Sequence, residues 1–215
     1  MSKLIFVSTG RCGTRRLSEI FQAYLPKTQY SVVHQMKYSR LANVVGNVLY
    51  YTGESIFVRE RLYHFLIDRY DTTENFISTD PLSSMIIPEA LVRSAEVSII
   101  QIIRDRDEFA HSFFRWSRNN PKSFLAHNLI PCWQPGVYPL ENAFSRSIID
   151  KYKRLSDLKN QYFEERYSDN PHYRKFAMDE LFTTSALNDL VQQFFHRDIS
   201  VSEADLFIRS NASAP

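Results

Sequence analysis

Residues 4–26 read LIFVSTGRCGTRRLSEIFQAYLP and contain three kinds of segment in succession. The first, residues 4–7, is short, apolar on both faces and rich in β-forming residues, which predicts a buried strand. The last, residues 17–25, carries apolar side chains at helical intervals, and Pro26 ends it. Between them, residues 8–16 form a polar turn with two glycines. This order predicts the opening strand–turn–helix unit of an α/β fold, in which such a turn is a common place to bind an anion.

Strand-like and helix-like segments continue to alternate beyond this unit. Short apolar runs predict strands at residues 30–33, 76–79, 97–103 and 173–178. Amphipathic stretches predict helices at residues 55–70, from residue 88, at 107–118, within 140–167 and after a capping Ser185. This alternation predicts a three-layer α/β/α architecture with a central, mostly parallel sheet. The order of the strands does not follow from the sequence.

Residues 119–139 interrupt the alternation. This segment contains four prolines and a glycine: Pro121, Pro131, Pro135, Gly136 and Pro139. Because proline and glycine disfavour a long helix, we predict an extended loop or lid here. The small, polar residues 209–215 are expected to fray.

The composition limits the class of protein. With 215 residues, 44% hydrophobic and 23% charged, the chain is predicted to fold as one globular domain over residues 1–215. Its 26 basic and 24 acidic residues are too evenly balanced for a protein that coats nucleic acid, so no nucleic-acid partner is expected. Two separate cysteines, Cys12 and Cys132, indicate reduced thiols. Since no apolar run is long enough for a membrane span and no signal peptide is recognised, we expect a soluble cytoplasmic protein.

The polar turn carries three arginines: Arg11, Arg15 and Arg16. Positive charge at a helix N-terminus opposes the helix dipole unless an anion offsets it, which favours an anion site over a turn with solvated arginines. A nucleoside-triphosphate P-loop fits poorly, because Thr14 stands where that motif requires lysine. A phosphatase loop led by Cys12 also fits poorly, because the sixth residue after it is Ser18 instead of arginine.

The same turn resembles the phosphosulfate-binding loop of sulfotransferases that use phosphoadenosine phosphosulfate (PAPS). In that family a strand is followed by a basic residue, a small residue, Gly, Thr and another polar residue, and Arg11 stands where many cytosolic members carry Lys. The resemblance implies a P-loop-like fold and five donor-binding residues: Arg11, Cys12, Gly13, Thr14 and Arg15. It also implies that backbone amides and the Thr14 hydroxyl hold the 5′-phosphate, and that Arg11 acts catalytically on the bridging oxygen.

A second segment strengthens the resemblance. In the family, a strand that ends in Arg is followed by a Ser on the next helix, and both hold the 3′-phosphate of the donor. Here residues 97–103 run into Arg104, and Ser112 follows eight positions later. A guanidinium can fork onto two phosphate oxygens while a hydroxyl donates to a third. The alternative is a structural arginine paired with Asp105 or Asp107.

The resemblance weakens outside these two motifs. Residues 176–181 resemble a late strand of the family that ends in an acidic pair and Leu. The C-terminal Arg-Lys-Gly patch of cytosolic members is matched poorly by residues 209–210. Acceptor pockets in this family come from variable loops, which we assign to residues 36–53 and 119–139.

Two residues compete for the role of general base, which takes the proton of the acceptor. His34 follows the strand predicted at residues 30–33, where many family members carry a His-Glu pair, but Gln35 replaces the Glu here. Asp80 follows the next strand, where cytosolic members place their catalytic His. Both have a structural alternative: His34 as a satisfied histidine at a strand end, and Asp80 as the cap of a turn before Pro81.

The function implied by the resemblance is transfer of a sulfuryl group from PAPS to a hydroxyl or amine, leaving PAP, the phosphoadenosine bisphosphate. The expected acceptor is a small molecule, a carbohydrate or a lipid. No metal is expected, because the cysteines and histidines lack the spacing of a metal site. Two other functions stay open: a nucleotide phosphotransferase with an atypical phosphate loop, and a non-catalytic nucleotide-binding scaffold.

Overall fold

The computed structural model describes residues 2–53, 55–71, 73–129, 147–196, 199–203 and 206. Their centre is a five-stranded sheet in which every pairing is parallel. The strands are β1 (Ser2–Ser8), β2 (Tyr30–Val33), β3 (Asn75–Ser78), β4 (Val97–Ile103) and β5 (Arg174–Ala177). Their order across the sheet is β2-β3-β1-β4-β5.

Nine helices connect and cover the strands in the described part of the chain. They are α1 (Thr14–Tyr24), α2 (Ser39–Thr52), α3 (Ile56–Ile67), α4 (Glu89–Val92), α5 (Arg106–Arg118), α6 (Pro121–Leu129), α7 (Ile148–Tyr167), α8 (Met178–Leu181) and α9 (Thr184–Phe195). None of the helices in the residues described has the length and apolar character needed to cross a membrane.

The helices lie on both faces of the sheet, as the alternation of side chains along β1 demonstrates. Leu4 and Phe6 are fully buried on one face, in a core shared with α1 and α9. Ile5 and Val7 point to the other face, in a core shared with α3 and α7. Because a strand directs successive side chains to opposite faces, a doubly covered strand is apolar throughout. The predicted three-layer α/β/α architecture is confirmed.

The strand order β2-β3-β1-β4-β5 reverses direction at β1, which predicts a crevice beside this strand. From β1 the chain passes to β2 and β3 on one side, and only later crosses to β4 and β5 on the other. Loops that follow β1 and β4 therefore leave the sheet in different directions. In open parallel sheets, ligands bind at such a point, outside the carboxyl ends of the strands.

Three predictions about segments are wrong. Residues 121–129 form α6 instead of a loop, because a proline fits the first position of a helix, where a backbone N–H has no partner to lose. Most of the segment assigned to a variable loop at residues 36–53 forms α2. The cap of α9 is Thr183, whose hydroxyl accepts from the Ala186 amide, and Ser185 lies inside the helix. Residues 130–139 of the predicted lid, and the C-terminal residues 209–215, lie outside the described residues.

Candidate functional site

The turn between β1 and α1 has an unusual backbone. Gly10, Arg11 and Gly13 all have positive φ values, of 88°, 57° and 72°. Glycine adopts this left-handed region freely, whereas an arginine there is strained. Inside the turn, the Gly10 amide donates to the Ser8 hydroxyl over 3.2 Å, and the Cys12 thiol donates to the Gly10 carbonyl over 3.1 Å. These bonds hold the sharply folded backbone in place ahead of the helix.

Gly13 leaves the N-terminus of α1 open. It is the N-cap residue, and no side chain caps the helix within the described residues. A Cβ at this position would lie 2.5 Å from Cζ of Phe182, so the close approach of that ring also requires glycine. The amides of the first helical turn are therefore available to an anion, whose charge the helix dipole favours.

The end of β4 contacts this turn directly. Arg104 donates from Nη1 to the carbonyl oxygen of Arg11 over 2.8 Å, and its Nε lies 3.4 Å from Oε2 of Glu108 on α5. The structure therefore brings together the two motifs that the sequence separates by about 90 residues. Arg104 pairs with Glu108 instead of Asp105 or Asp107, the partners considered from sequence.

A third arginine joins these two. The pKa of Arg11 is lowered by burial and by the positive charges of Arg104 and Arg115. Neither Arg11 nor Arg115 forms an ion pair with a carboxylate anywhere in the described residues. The crevice thus concentrates positive charge that the protein itself does not neutralise.

Sequence reasoning missed Arg115, although a signal for it existed. Glu108, Ser112 and Arg115 follow one another at helical intervals of four and three, which places them along one side of α5. One side of α5 therefore carries the partner of Arg104, the predicted phosphate-binding hydroxyl and the additional arginine. Ser112 itself is buried, with 8% of its surface exposed.

The other predicted residues of the turn differ in environment. Cys12 is fully buried, and burial raises the pKa of its thiol, so it is a neutral packing residue of the turn. Thr14 is buried at the start of α1, whereas Arg15 is exposed and bonds Glu19 from Nε over 3.0 Å. Arg16 also faces Glu19, and its Nε and Nη2 are buried without a hydrogen-bond partner in the described residues.

His34 is oriented by the neighbouring strand. Its Nδ1 lies 3.1 Å from the carbonyl oxygen of Thr79 and 3.2 Å from the hydroxyl of the same residue. Because a carbonyl only accepts, Nδ1 carries the proton and Nε2 keeps its lone pair. Burial lowers the pKa of His34, against the smaller effects of the Thr79 carbonyl and Asp80. The imidazole is therefore neutral at pH 7.

Asp80 has a different kind of environment. Only 1% of its surface is exposed, and its two carboxylate oxygens accept from the backbone amides of Met36 over 3.1 Å and Leu82 over 2.9 Å. Burial raises its pKa. Asp80 thus fastens the connection after β2 to the end of β3. This geometry favours His34 over Asp80 as a proton acceptor.

Most of the predicted residues therefore lie at the carboxyl ends of the parallel strands, whereas Ser112 lies on α5. Comparison with other proteins adds no assignment: no family model matches the chain, and no curated protein matches it significantly.

Proposed function

We propose that this protein is a sulfotransferase that moves a sulfuryl group from PAPS to a hydroxyl or amine of an acceptor. The observation that carries the proposal is the contact of Arg104 with Arg11 beside the open N-terminus of α1, with Arg115 close by. PAPS has a phosphosulfate and a separate 3′-phosphate. A crevice with guanidinium groups on both of its walls suits a ligand with two anionic ends, and two of these groups, Arg11 and Arg115, have no carboxylate partner in the described residues.

Each wall of the crevice has a part in holding the donor. The amides at the start of α1 and the Thr14 hydroxyl hold the 5′-phosphate, and Arg11 faces the oxygen that bridges phosphorus and sulfur. On the other wall, Arg104 and Ser112 hold the 3′-phosphate. Arg104 has hydrogen-bonding capacity left for this role, because the described contacts use its Nη1 and Nε and not its Nη2.

His34 supplies the base. Its Nε2 takes the proton of the acceptor while the acceptor oxygen or nitrogen forms a bond to sulfur. The bond between sulfur and the bridging oxygen breaks, and that oxygen leaves with its electron pair on the 5′-phosphate of the bisphosphate product. Arg11 stabilises the negative charge that develops there. The Thr79 carbonyl stabilises the imidazolium through its bond to Nδ1.

Two features favour sulfuryl over phosphoryl transfer. The turn lacks the lysine that reaches the terminal phosphates in a P-loop. In addition, both oxygens of Asp80, at the end of the strand beside β1, are occupied by backbone amides. The proposed acceptor is, as expected from the sequence, a small molecule, a carbohydrate or a lipid.

Thermal unfolding with the bisphosphate product tests the donor site. The product should raise the melting temperature with or without Mg²⁺, because a ligand of the folded state stabilises it, and ATP should raise it little. Arg104→Ala should abolish the response. A matched control is Arg106→Ala, which removes an exposed arginine that pairs with Asp157 away from the turn. Stabilisation by ATP that depends on Mg²⁺ would instead support a phosphotransferase.

Turnover separates an enzyme from a scaffold. Wild-type protein incubated with sulfur-labelled PAPS and mixed acceptors should release the bisphosphate and label one acceptor class. If the product stabilises the protein but no acceptor class is labelled, the scaffold function replaces the one proposed here.

A further inference from the structure

The helix α3 buries one charged residue beside its apolar core residues and exposes several large apolar ones. It buries Arg59 almost completely, with 1% of its surface exposed. In contrast, Ile56 and Phe57 are 63% and 66% exposed, and Val58 and Phe65 are exposed as well. A helix in water normally turns such residues inward. Large apolar side chains gathered on one exposed surface indicate that another surface covers them.

The exposed face of α3 alternates rings and guanidinium groups. Phe57, Arg61, Phe65 and Arg69 follow one another at intervals of four residues, which places them on one side of the helix. The guanidinium carbon of Arg61 lies 5.2 Å from the ring centre of Phe57, and that of Arg69 lies 5.0 Å from the ring centre of Phe65. Each arginine therefore covers a ring and keeps its charge at the edge of the apolar surface.

The neighbouring helix extends this surface. The ring of Tyr38, the residue before α2, lies 5.6 Å from that of Phe65, and Lys37 lies 5.1 Å above the Tyr38 ring. Leu41 is 49% exposed on α2. We use the name hairpin surface for six of the exposed apolar residues in this region: Tyr38, Leu41, Ile56, Phe57, Val58 and Phe65.

The cations around the hairpin surface lack acidic partners. Lys37, Arg40, Arg61 and Arg69 are exposed, and none of them pairs with a carboxylate in the described part of the chain. Over residues 37–69 the sequence contains five basic residues, of which Arg59 is buried, and three acidic residues. The partner of this surface should therefore be apolar at its centre and negative around it.

We propose that the hairpin surface docks on an anionic phospholipid membrane. Apolar side chains would enter the interface between head groups and acyl chains, with the four cations at the level of the lipid phosphates. A second copy of the chain is less suitable, because a two-fold dimer would bring the same unpaired cations against each other. The docking does not depend on the reaction proposed above.

Sedimentation with vesicles tests this proposal. The full chain should sediment with vesicles of phosphatidylcholine and phosphatidylglycerol, remain in solution with phosphatidylcholine alone, and dissociate as salt is raised. Ile56→Ser with Phe57→Ser should lower the partition coefficient by about tenfold or more. Arg61→Gln with Arg69→Gln should lower it about fivefold for each arginine.

Matched controls lie elsewhere on the surface. Leu125→Ser removes an apolar residue of α6 that is 53% exposed, and Arg174→Gln removes an exposed arginine from β5, at the far edge of the sheet from β2. Both should bind anionic vesicles like wild type. The proposal is overturned if wild type ignores anionic vesicles, binds neutral ones equally well, or forms a dimer that Phe57→Ser dissociates. Binding of wild type to anionic and to neutral vesicles tests the proposal even if a variant fails to fold.

Discussion

Arg104, the residue that follows β4, hydrogen-bonds the carbonyl oxygen of Arg11, in the turn that follows β1, over 2.8 Å. One positively charged side chain thus reaches the backbone beneath another. Since like charges repel, placing the two guanidinium groups close together costs free energy unless a bound anion interacts with both. Binding of an anion in the crevice should therefore relieve repulsion as well as form new bonds.

Arg115 should contribute to donor binding through its charge. We expect Arg115→Gln to weaken binding of phosphoadenosine bisphosphate about fivefold, the effect of losing roughly 1 kcal/mol of attraction. The dissociation constant should also become less dependent on salt. Isothermal titration at two salt concentrations measures both effects. Arg118→Gln, one turn further along α5 and exposed, is the control and should bind like wild type. Equal losses in the two variants would remove Arg115 from the site.

The pH dependence of turnover should report His34. A base must be unprotonated, and burial lowers the pKa of His34 below the ordinary value of 6.5. The rate should therefore be constant around neutral pH and fall only at a pH below the range in which an ordinary histidine titrates. His64→Asn, which changes an exposed histidine beside Asp68, should leave this profile unchanged.

A substitution of His34 should separate chemistry from binding. His34→Asn keeps a donor for the Thr79 carbonyl but has no basic nitrogen. We expect turnover to fall by about 10²- to 10⁴-fold, while the bisphosphate binds unchanged. Activity close to wild type would assign the proton to another group.

Asp80 should affect stability in a pH-dependent way. Burial raises its pKa in the folded protein, so its contribution to the free energy of unfolding is present below the unfolded pKa of about 3.9 and is lost as the pH rises through the folded pKa. Asp80→Asn turns an amide N–H₂ toward a backbone donor and should cost about 1–3 kcal/mol. Urea unfolding should show a larger deficit at about pH 4 than at about pH 8. Asp68→Asn, at an exposed site, should not reproduce this pH dependence.

Substitution of the two glycines of the turn by alanine should lower the free energy of unfolding by different amounts. Gly10→Ala meets only backbone strain, because nothing lies within 4 Å of the new Cβ, and should cost about 1 kcal/mol. Gly13→Ala adds a clash with the Phe182 ring and should cost about 1–3 kcal/mol more. Unfolding of Gly13→Ala, Phe182→Ala and the double variant forms a cycle that measures the clash. Equal costs at Gly10 and Gly13 would contradict the contact.

The sequence predicted those parts of the fold that depend on local pattern. The bounds of β2 and β4 are those predicted, because each is a compact apolar run between polar residues. The positions of His34 and Arg104 at strand ends followed from the same runs. In contrast, α2 was missed because the resemblance assigned residues 36–53 to a variable loop. Gly46 lies inside this helix, where a Cβ would lie 2.6 Å from Cβ of Met85.

What the sequence could not predict depends on contacts between distant segments. Phe182 lies against Gly13 although 169 positions separate them, and no periodicity links the two. The strand order was equally out of reach, because one chain can pair the same strands in several parallel orders. The exposure of the aromatic residues on α3 followed only once the helix was seen to turn Arg59 inward.

The fastening of Met36 to Asp80 has a mechanical consequence. Met36 lies two residues after His34 and two before Tyr38, the residue that precedes α2. One short connection therefore carries the imidazole at one end and the start of α2 at the other, and its midpoint is bonded to Asp80. Because residues 34–38 are few and are held at Met36, they have little conformational freedom to absorb a displacement of α2. We therefore expect a displacement of α2 to move the ring of His34 as well.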